Sequence, residues 1–229
     1  MRRALLIVSI CLAAAAGGCG DDDEKTGDSG TTPATTQAQP QAPEGCRQAE
    51  APPTEERKGK KPKKGALDEA KTYRLKFATN CGEFTIELDQ EAAPNAAASL
   101  VGLARGKYFD NTLFHRIVPG FVIQGGDPTA TGSGDPGYST EDKPPSDARY
   151  TKGAVAMAKT EQEPPGTAGS QFFVVVGDDA GLPPDYALVG KVTGGMEAAD
   201  RIGRLGDPNS PQGQPTATVV IQSVTVEES

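Results

Sequence analysis

The chain has 229 residues, a formal charge of −8, 28 glycines, 19 prolines and no tryptophan. An acidic balance of this kind argues against general binding of nucleic acid. Length alone allows one or two domains, but the composition is uneven along the chain and divides it into three parts.

Met1 to Gly18 carries Arg2 and Arg3, then an apolar run from Ala4 to Ala16, then small residues. That run is too short to cross a bilayer and has the layout of an export signal peptide over residues 1–18. Cys19 follows, and the segment AAAAGGC resembles a bacterial lipoprotein cleavage site, in which the cysteine becomes the new N-terminus and carries lipid. Ala16 stands where a large aliphatic residue is usual, so ordinary cleavage after Ala14-Ala15-Ala16 is the competing reading. On the lipoprotein reading the protein is exported and held at the bacterial cell membrane, with its folded part outside the cytoplasm. Cys11 then leaves with the signal and Cys19 takes the lipid, which leaves Cys46 and Cys81. In an oxidising compartment these two are expected to form a disulfide, with two free thiols as the alternative. Two cysteines and the single His115 cannot build a tetrahedral metal site, so no metal is expected.

From Gly20 to about Ala70 the chain is Asp, Thr, Gln, Pro, Gly and Lys, with few large apolar residues. Such a segment buries too little surface to offset its ordering entropy, so residues 19–70 are expected to be a disordered linker. Its basic run RKGKKPKK, Arg57 to Lys64, reads as a solvated face, with contact to anionic lipid or wall polymers as the alternative.

The folded domain is expected over 71–229. YRLKFAT and EFTIELD alternate as two strands around Asn80-Cys81-Gly82, a hairpin signature. Pro94 opens the helical stretch PNAAASLVGLAR and Gly106 ends it. Strands follow around Leu113–Val118, Phe121–Gln124, Gly153–Ala158, Gln171–Val176 and Ala187–Val192. A short helix is expected over Gly195–Ile202, and Ala217–Val226 alternates as a last strand. Pro128–Pro145 and Thr160–Gly169 are rich in Gly and Pro and read as long loops. GSGDPG, Gly132 to Gly137, fits a dinucleotide-binding pattern by chance, because Pro136 blocks the helix and no βαβ unit surrounds it. Many short strands with two helices suggest a closed antiparallel barrel with helical caps.

Two blocks carry the strongest signal: FHRIVPGFVIQGGD, Phe114 to Asp127, and GSQFFVVV, Gly169 to Val176. In both, apolar residues surround isolated polar ones, Arg116, Gln124 and Gln171, as in buried strands holding a few donors at the wall of an apolar site. Together they resemble the paired signature of cyclophilin-type peptidyl-prolyl cis/trans isomerases. The resemblance implies a mainly β fold, a closed eight-stranded antiparallel barrel capped by two helices. It also implies catalysis of rotation about Xaa-Pro bonds in proline-containing polypeptides, with no cofactor.

By the same resemblance Arg116 is the catalytic donor, Gln124 orients it, and Phe121 forms the proline pocket with Val122, Phe173 and Leu182. Phe114 is expected to pack beneath the Arg116 strand and Gln171 to line the groove. Ala158 and Lys159 are expected to offer main-chain groups to an extended peptide, and Tyr186 to close the pocket. Val122, Lys159 and Tyr186 stand where Met, Asn and His are frequent in the family. His115 is read as structural, because rotation about an amide moves no proton and a strand neighbour of Arg116 faces the other way. The expected function is isomerisation that speeds folding of exported proteins, by a monomer. The alternative is a proline-peptide binding module or chaperone with little turnover, and a Ser170–His115 hydrolase fails for want of a nucleophile elbow.

Overall fold

The computed structural model of the chain describes residues 42–229. The expected signal peptide, the lipid site at Cys19 and linker residues 19–41 lie outside these. β1 (Tyr73–Thr79) and β2 (Gly82–Leu88) form the hairpin, with Thr79 opposite Gly82. Alternate residues of both strands, among them Leu75, Phe77, Phe84 and Ile86, are buried. The period-2 pattern therefore aims one face of the hairpin at the core.

α1 (Pro94–Arg105) follows, with proline in its first turn. No residue of its own caps it. The buried Asp142 carboxylate, from the long loop, accepts the N–H groups of Asn95 (3.3 Å) and Ala96 (2.6 Å). A carboxylate there satisfies orphan donors and meets the positive end of the helix dipole. Then come β3 (Thr112–Leu113), β4 (Arg116–Val118), β5 (Val122–Gly125), β6 (Thr140–Glu141) and β7 (Ala154–Met157). The remaining elements are β8 (Thr167–Ala168), β9 (Phe172–Val175), β10 (Leu188–Gly194), α2 (Met196–Gly203) and β11 (Val220–Glu228).

Nine strands form one antiparallel sheet in the order β3-β11-β1-β2-β10-β7-β9-β5-β4, and β6 pairs with β8 in a second. The end strands β3 and β4 are consecutive in the chain, separated only by Phe114 and His115, so the sheet is strongly curled. The strand expected over Leu113–Val118 is thus two strands, each with a different partner: β3 pairs with β11 and β4 with β5.

Inside the curl lies the main core, where Phe77, Phe84, Phe114 and Phe172 meet. The strands β5, β7 and β9 are buried on both faces. Ile123, Val155, Met157, Phe172 and Val174 enter the main core, while Val122, Ala154, Ala156, Phe173 and Val175 form a second cluster with Tyr150. Burial on both faces explains why FFVVV reads as a continuous apolar run rather than an alternation.

Residues 42–70 correct the expectation of a disordered linker. They have no helix or strand, yet they lie along the domain as a strap. Cys46 is joined to Cys81 at the tip of the β1–β2 hairpin, and Arg47 N–H donates to the Asn80 carbonyl at 2.7 Å. Arg57 donates to the carbonyls of Tyr108 and Asp110 at 2.9 and 2.7 Å, and Gly59 N–H to that of Pro136 at 2.8 Å. A segment too polar for a core of its own is held by a cross-link and by hydrogen bonds to backbone carbonyls of the domain.

Candidate active site

The second apolar cluster is the floor of a cleft. β4 and β5 are joined by Val118-Pro119-Gly120-Phe121, in which Phe121 N–H donates to the Val118 carbonyl at 3.0 Å and Gly120 has φ 69°. Proline followed by a positive-φ glycine is what a type II turn requires, and the turn delivers Phe121 to the cleft rim. In the β4–β5 ladder Arg116 stands directly across from Gln124, and Gln124 across from Phe173 of β9. Residues opposite in a ladder share a face, so these three side chains come to one surface.

The cleft, about 300 Å³, is lined by Arg116, Phe121, Val122, Gln124, Ala158, Lys159, Phe173, Leu182 and Tyr186. It brings together nine of the eleven residues expected at the site, drawn from β4, β5, β9, the β4–β5 turn and two loops. Val122 and Phe173 are buried; Phe121, Leu182 and Tyr186 are partly exposed at the edge. The floor suits the apolar ring of a proline, and the wall carries the polar groups.

The Arg116 guanidinium is half-buried, and loss of water lowers its pKa while Tyr186 acts in the opposite direction. Among the described residues it makes no ion pair, and no carboxylate lines the cleft. Arginine stays protonated at such a site, so its fixed N–H groups are free for an incoming acceptor. Lys159 adds a second positive charge. Its Nζ donates to the carbonyls of Thr160 and Glu163 at 3.1 Å each and lies 5.5 Å over the Tyr186 ring.

Several expected contacts take a different form. Gln124 stands opposite Arg116 in the ladder but does not hydrogen-bond it; its amide donates to the Gln171 Oε1 at 3.0 Å. Gln171 stands behind Gln124, outside the cleft lining, and its amide donates to the carbonyls of Gly132 and Gly134 at 3.0 Å each. Phe114 lies wholly in the main core, 6.2 Å from both Phe84 and Phe172. Ala158 gives its N–H to the Gln171 carbonyl at 2.9 Å, which withdraws that donor from a peptide.

Two residues that sequence reasoning missed organise the site. Tyr150, 1 % exposed, donates its hydroxyl to the Tyr186 carbonyl at 2.6 Å and accepts the Tyr186 N–H at 3.1 Å. Its ring sits 6.3 Å from Phe173 and 6.0 Å from Tyr186, so it fixes the loop that closes the cleft. The only sequence signal was an aromatic flanked by Arg149 and Thr151. The second is Asp127, fully buried, whose carboxylate accepts the N–H groups of Thr129, Thr131, Gly132 and Gly134 at 2.7–3.1 Å. Burial alone would raise this carboxyl, but hydrogen bonds from Thr129, Gly134 and Gly132 outweigh it and hold the pKa below the usual aspartate value. His115 faces this loop rather than the cleft. Both its ring nitrogens are buried without a hydrogen-bond partner among the described residues.

Comparison with known proteins agrees with this geometry. The sequence profile of the family described as cyclophilin type peptidyl-prolyl cis-trans isomerase/CLD matches residues 74–226. Peptidyl-prolyl cis-trans isomerase CYP18-2 of Arabidopsis thaliana is 35% identical over 149 residues, covering 63% of this chain and 89% of the relative. Peptidyl-prolyl cis-trans isomerase-like 2 of Cryptococcus neoformans is 38% identical over 157 residues, but the match spans 66% of this chain and only 26% of that longer protein. The crystal structure of a cyclophilin type isomerase from Cryptosporidium parvum, in the presence of the dipeptide Ala-Pro, superimposes with a TM-score of 0.61. It has 30% identity and covers 67% of this chain and 98% of that one. By these matches and by the cleft they surround, the chain belongs to the cyclophilin-type peptidyl-prolyl cis/trans isomerase family.

Proposed function

We propose that this protein accelerates rotation about Xaa-Pro peptide bonds in exported polypeptides during their folding. The observation that carries the reading is the half-buried Arg116 guanidinium, free of any carboxylate, beside the apolar floor of Val122 and Phe173. The barrier to be lowered is ~18–20 kcal/mol and arises from conjugation of the prolyl nitrogen with its carbonyl. A donor to that nitrogen favours the twisted, pyramidal form in which conjugation is lost, and so binds the transition state more tightly than either planar isomer. A charge-assisted hydrogen bond gained only there, worth ~2–4 kcal/mol, corresponds to a rate factor of roughly 30 to 1,000. No bond is made or broken, so the chain needs only grip and charge placement.

In this reading β3 and β4 are one strand bent at Phe114–His115, which makes the sheet a closed eight-stranded barrel. Residues 1–18 are the export signal, Cys19 carries lipid and holds a monomeric domain at the outer side of a bacterial membrane. The Cys46–Cys81 disulfide supports an oxidising location. Labelling with a fatty-acid probe that is lost in Cys19→Ser is the expected result for the anchor.

The activity is tested in a protease-free proline isomerisation assay on the wild-type chain and Arg116→Ala. Turnover falling by about two orders of magnitude while a prolyl peptide still binds is the expected outcome. Peptide binding with no acceleration in either protein would replace the enzyme by a binding module.

A further inference from the structure

A concavity of about 1060 Å³ lies between strap residues 55–67 and the C-terminal part of α1 with the turn after it. It shares no residue with the substrate cleft. Arg57, Lys58, Lys60, Lys61 and Lys63 line it from the strap, and Arg105 and Lys107 from the opposite wall. Only Glu55 and Asp110 oppose these seven cations, on a chain whose formal charge is −8. Arg57 is paired with Glu55, and Arg105 with Glu228. The Asp110 carboxylate accepts the Val224 N–H at 3.0 Å. Lys58, Lys60, Lys61, Lys63 and Lys107 make no ion pair among the described residues.

The strap is seated. Arg57 grips two backbone carbonyls, and Gly59 comes so close to α1 that a Cβ there would lie 2.5 Å from Leu103 Cδ2. Like charges are therefore held together on two facing walls, an arrangement that raises local potential and favours a polyanion between them. The lysines are rotatable point charges, suited to successive phosphates rather than to one planar carboxylate. Tyr108 is the only aromatic in the lining and is 4 % exposed, so the groove presents no platform for stacking a base. A walled groove admits a thread, whereas a flat bilayer would meet only its rim.

We propose that this groove is a binding site for a linear phosphate polyanion, a property independent of the isomerase reading. The test is calorimetric titration of the full chain with inorganic polyphosphate at two salt concentrations. Engagement of about five phosphates predicts an affinity loss of roughly a hundredfold between 50 and 200 mM salt. The triple variant Lys60→Glu, Lys61→Glu, Lys63→Glu loses the interaction. Gly59→Val keeps every charge but levers the strap from α1, and weakens binding by about an order of magnitude. A single cooperative thermal melt and unchanged isomerase activity in these variants separate loss of the groove from loss of the fold. Undiminished binding by Gly59→Val would overturn the groove, since loose positive charge would then suffice. So would salt-insensitive binding, or chain retained on phosphatidylserine vesicles, above the level on phosphatidylcholine, that polyphosphate fails to displace.

Discussion

Arg116 and Lys159 place two positive charges on a cleft with no carboxylate in its lining, within an acidic molecule. A peptide bearing Glu beside its proline gains an ion pair there that one bearing Lys does not. An exposed pair is worth up to about 1 kcal/mol, so a threefold to fivefold preference in kcat/KM for the acidic peptide is expected, and Lys159→Asn, which leaves only the Arg116 charge, reduces it. Equal rates for both peptides in the wild type would refute that role. His115 carries a pH signature. Burial lowers its pKa first, Arg116 lowers it further, and Asp127 acts in the opposite direction. Because the folded state holds the proton less tightly, folding stability falls as pH drops below about 6.5, where only the unfolded chain takes it up. Asp127 acts in a separate window. Its depressed pKa contributes stability that is complete above about 4 and is lost as pH falls through the folded-state value. Urea unfolding at pH 7.5 and 5.5 checks the first effect, and His115→Gln is expected to flatten that pH difference.

At the scale of elements, the loop that carries Leu182 and Tyr186 and the strap of residues 42–70 are both held by contacts remote in sequence. Tyr150 holds the loop through one hydroxyl that both donates and accepts. Tyr150→Phe keeps the ring packing and leaves two backbone groups unpaired, a change of about 1–3 kcal/mol. The expected result is a several-fold lower kcat/KM, through KM, with the prolyl peptide bound less tightly and Arg116 still competent. The strap depends on Cys46–Cys81, which links residues 35 apart. Replacing both cysteines with serine is expected to lower stability by roughly 3–4 kcal/mol in the chain-entropy model. Trypsin should then cut faster at Lys58–Lys64, while turnover stays intact because the bond lies at the hairpin tip, outside the cleft lining. Unchanged cleavage would mean that the hydrogen bonds of Arg57 and Gly59 hold the strap by themselves.

For the molecule as a whole, local chemistry and long-range contacts contributed differently. Strand alternation in YRLKFAT and the proline and glycine bracketing PNAAASLVGLAR are encoded within a few residues, so hairpin and helix were legible in the chain. The cleft was legible through the family resemblance, which names its residues; Arg116, Gln124 and Phe173 meet because they stand opposite one another on adjacent strands, and the β4–β5 turn brings Phe121 to them. The short pair β6–β8 escaped notice, since two-residue strands have no period to read. Tyr150 escaped because its partner lies 36 positions away. The strap was misread for a related reason. Its composition correctly excludes a core of its own, but the partners that seat it, Tyr108, Asp110 and Pro136, belong to the domain it crosses. The sequence by itself determined the longer elements, through local propensity and periodicity, and the family and the groups at the cleft, through the two blocks that resemble the cyclophilin signature. Tertiary structure alone decided which polar groups meet across tens of residues, and so where Gln171, Tyr150, Asp127 and the basic strap act.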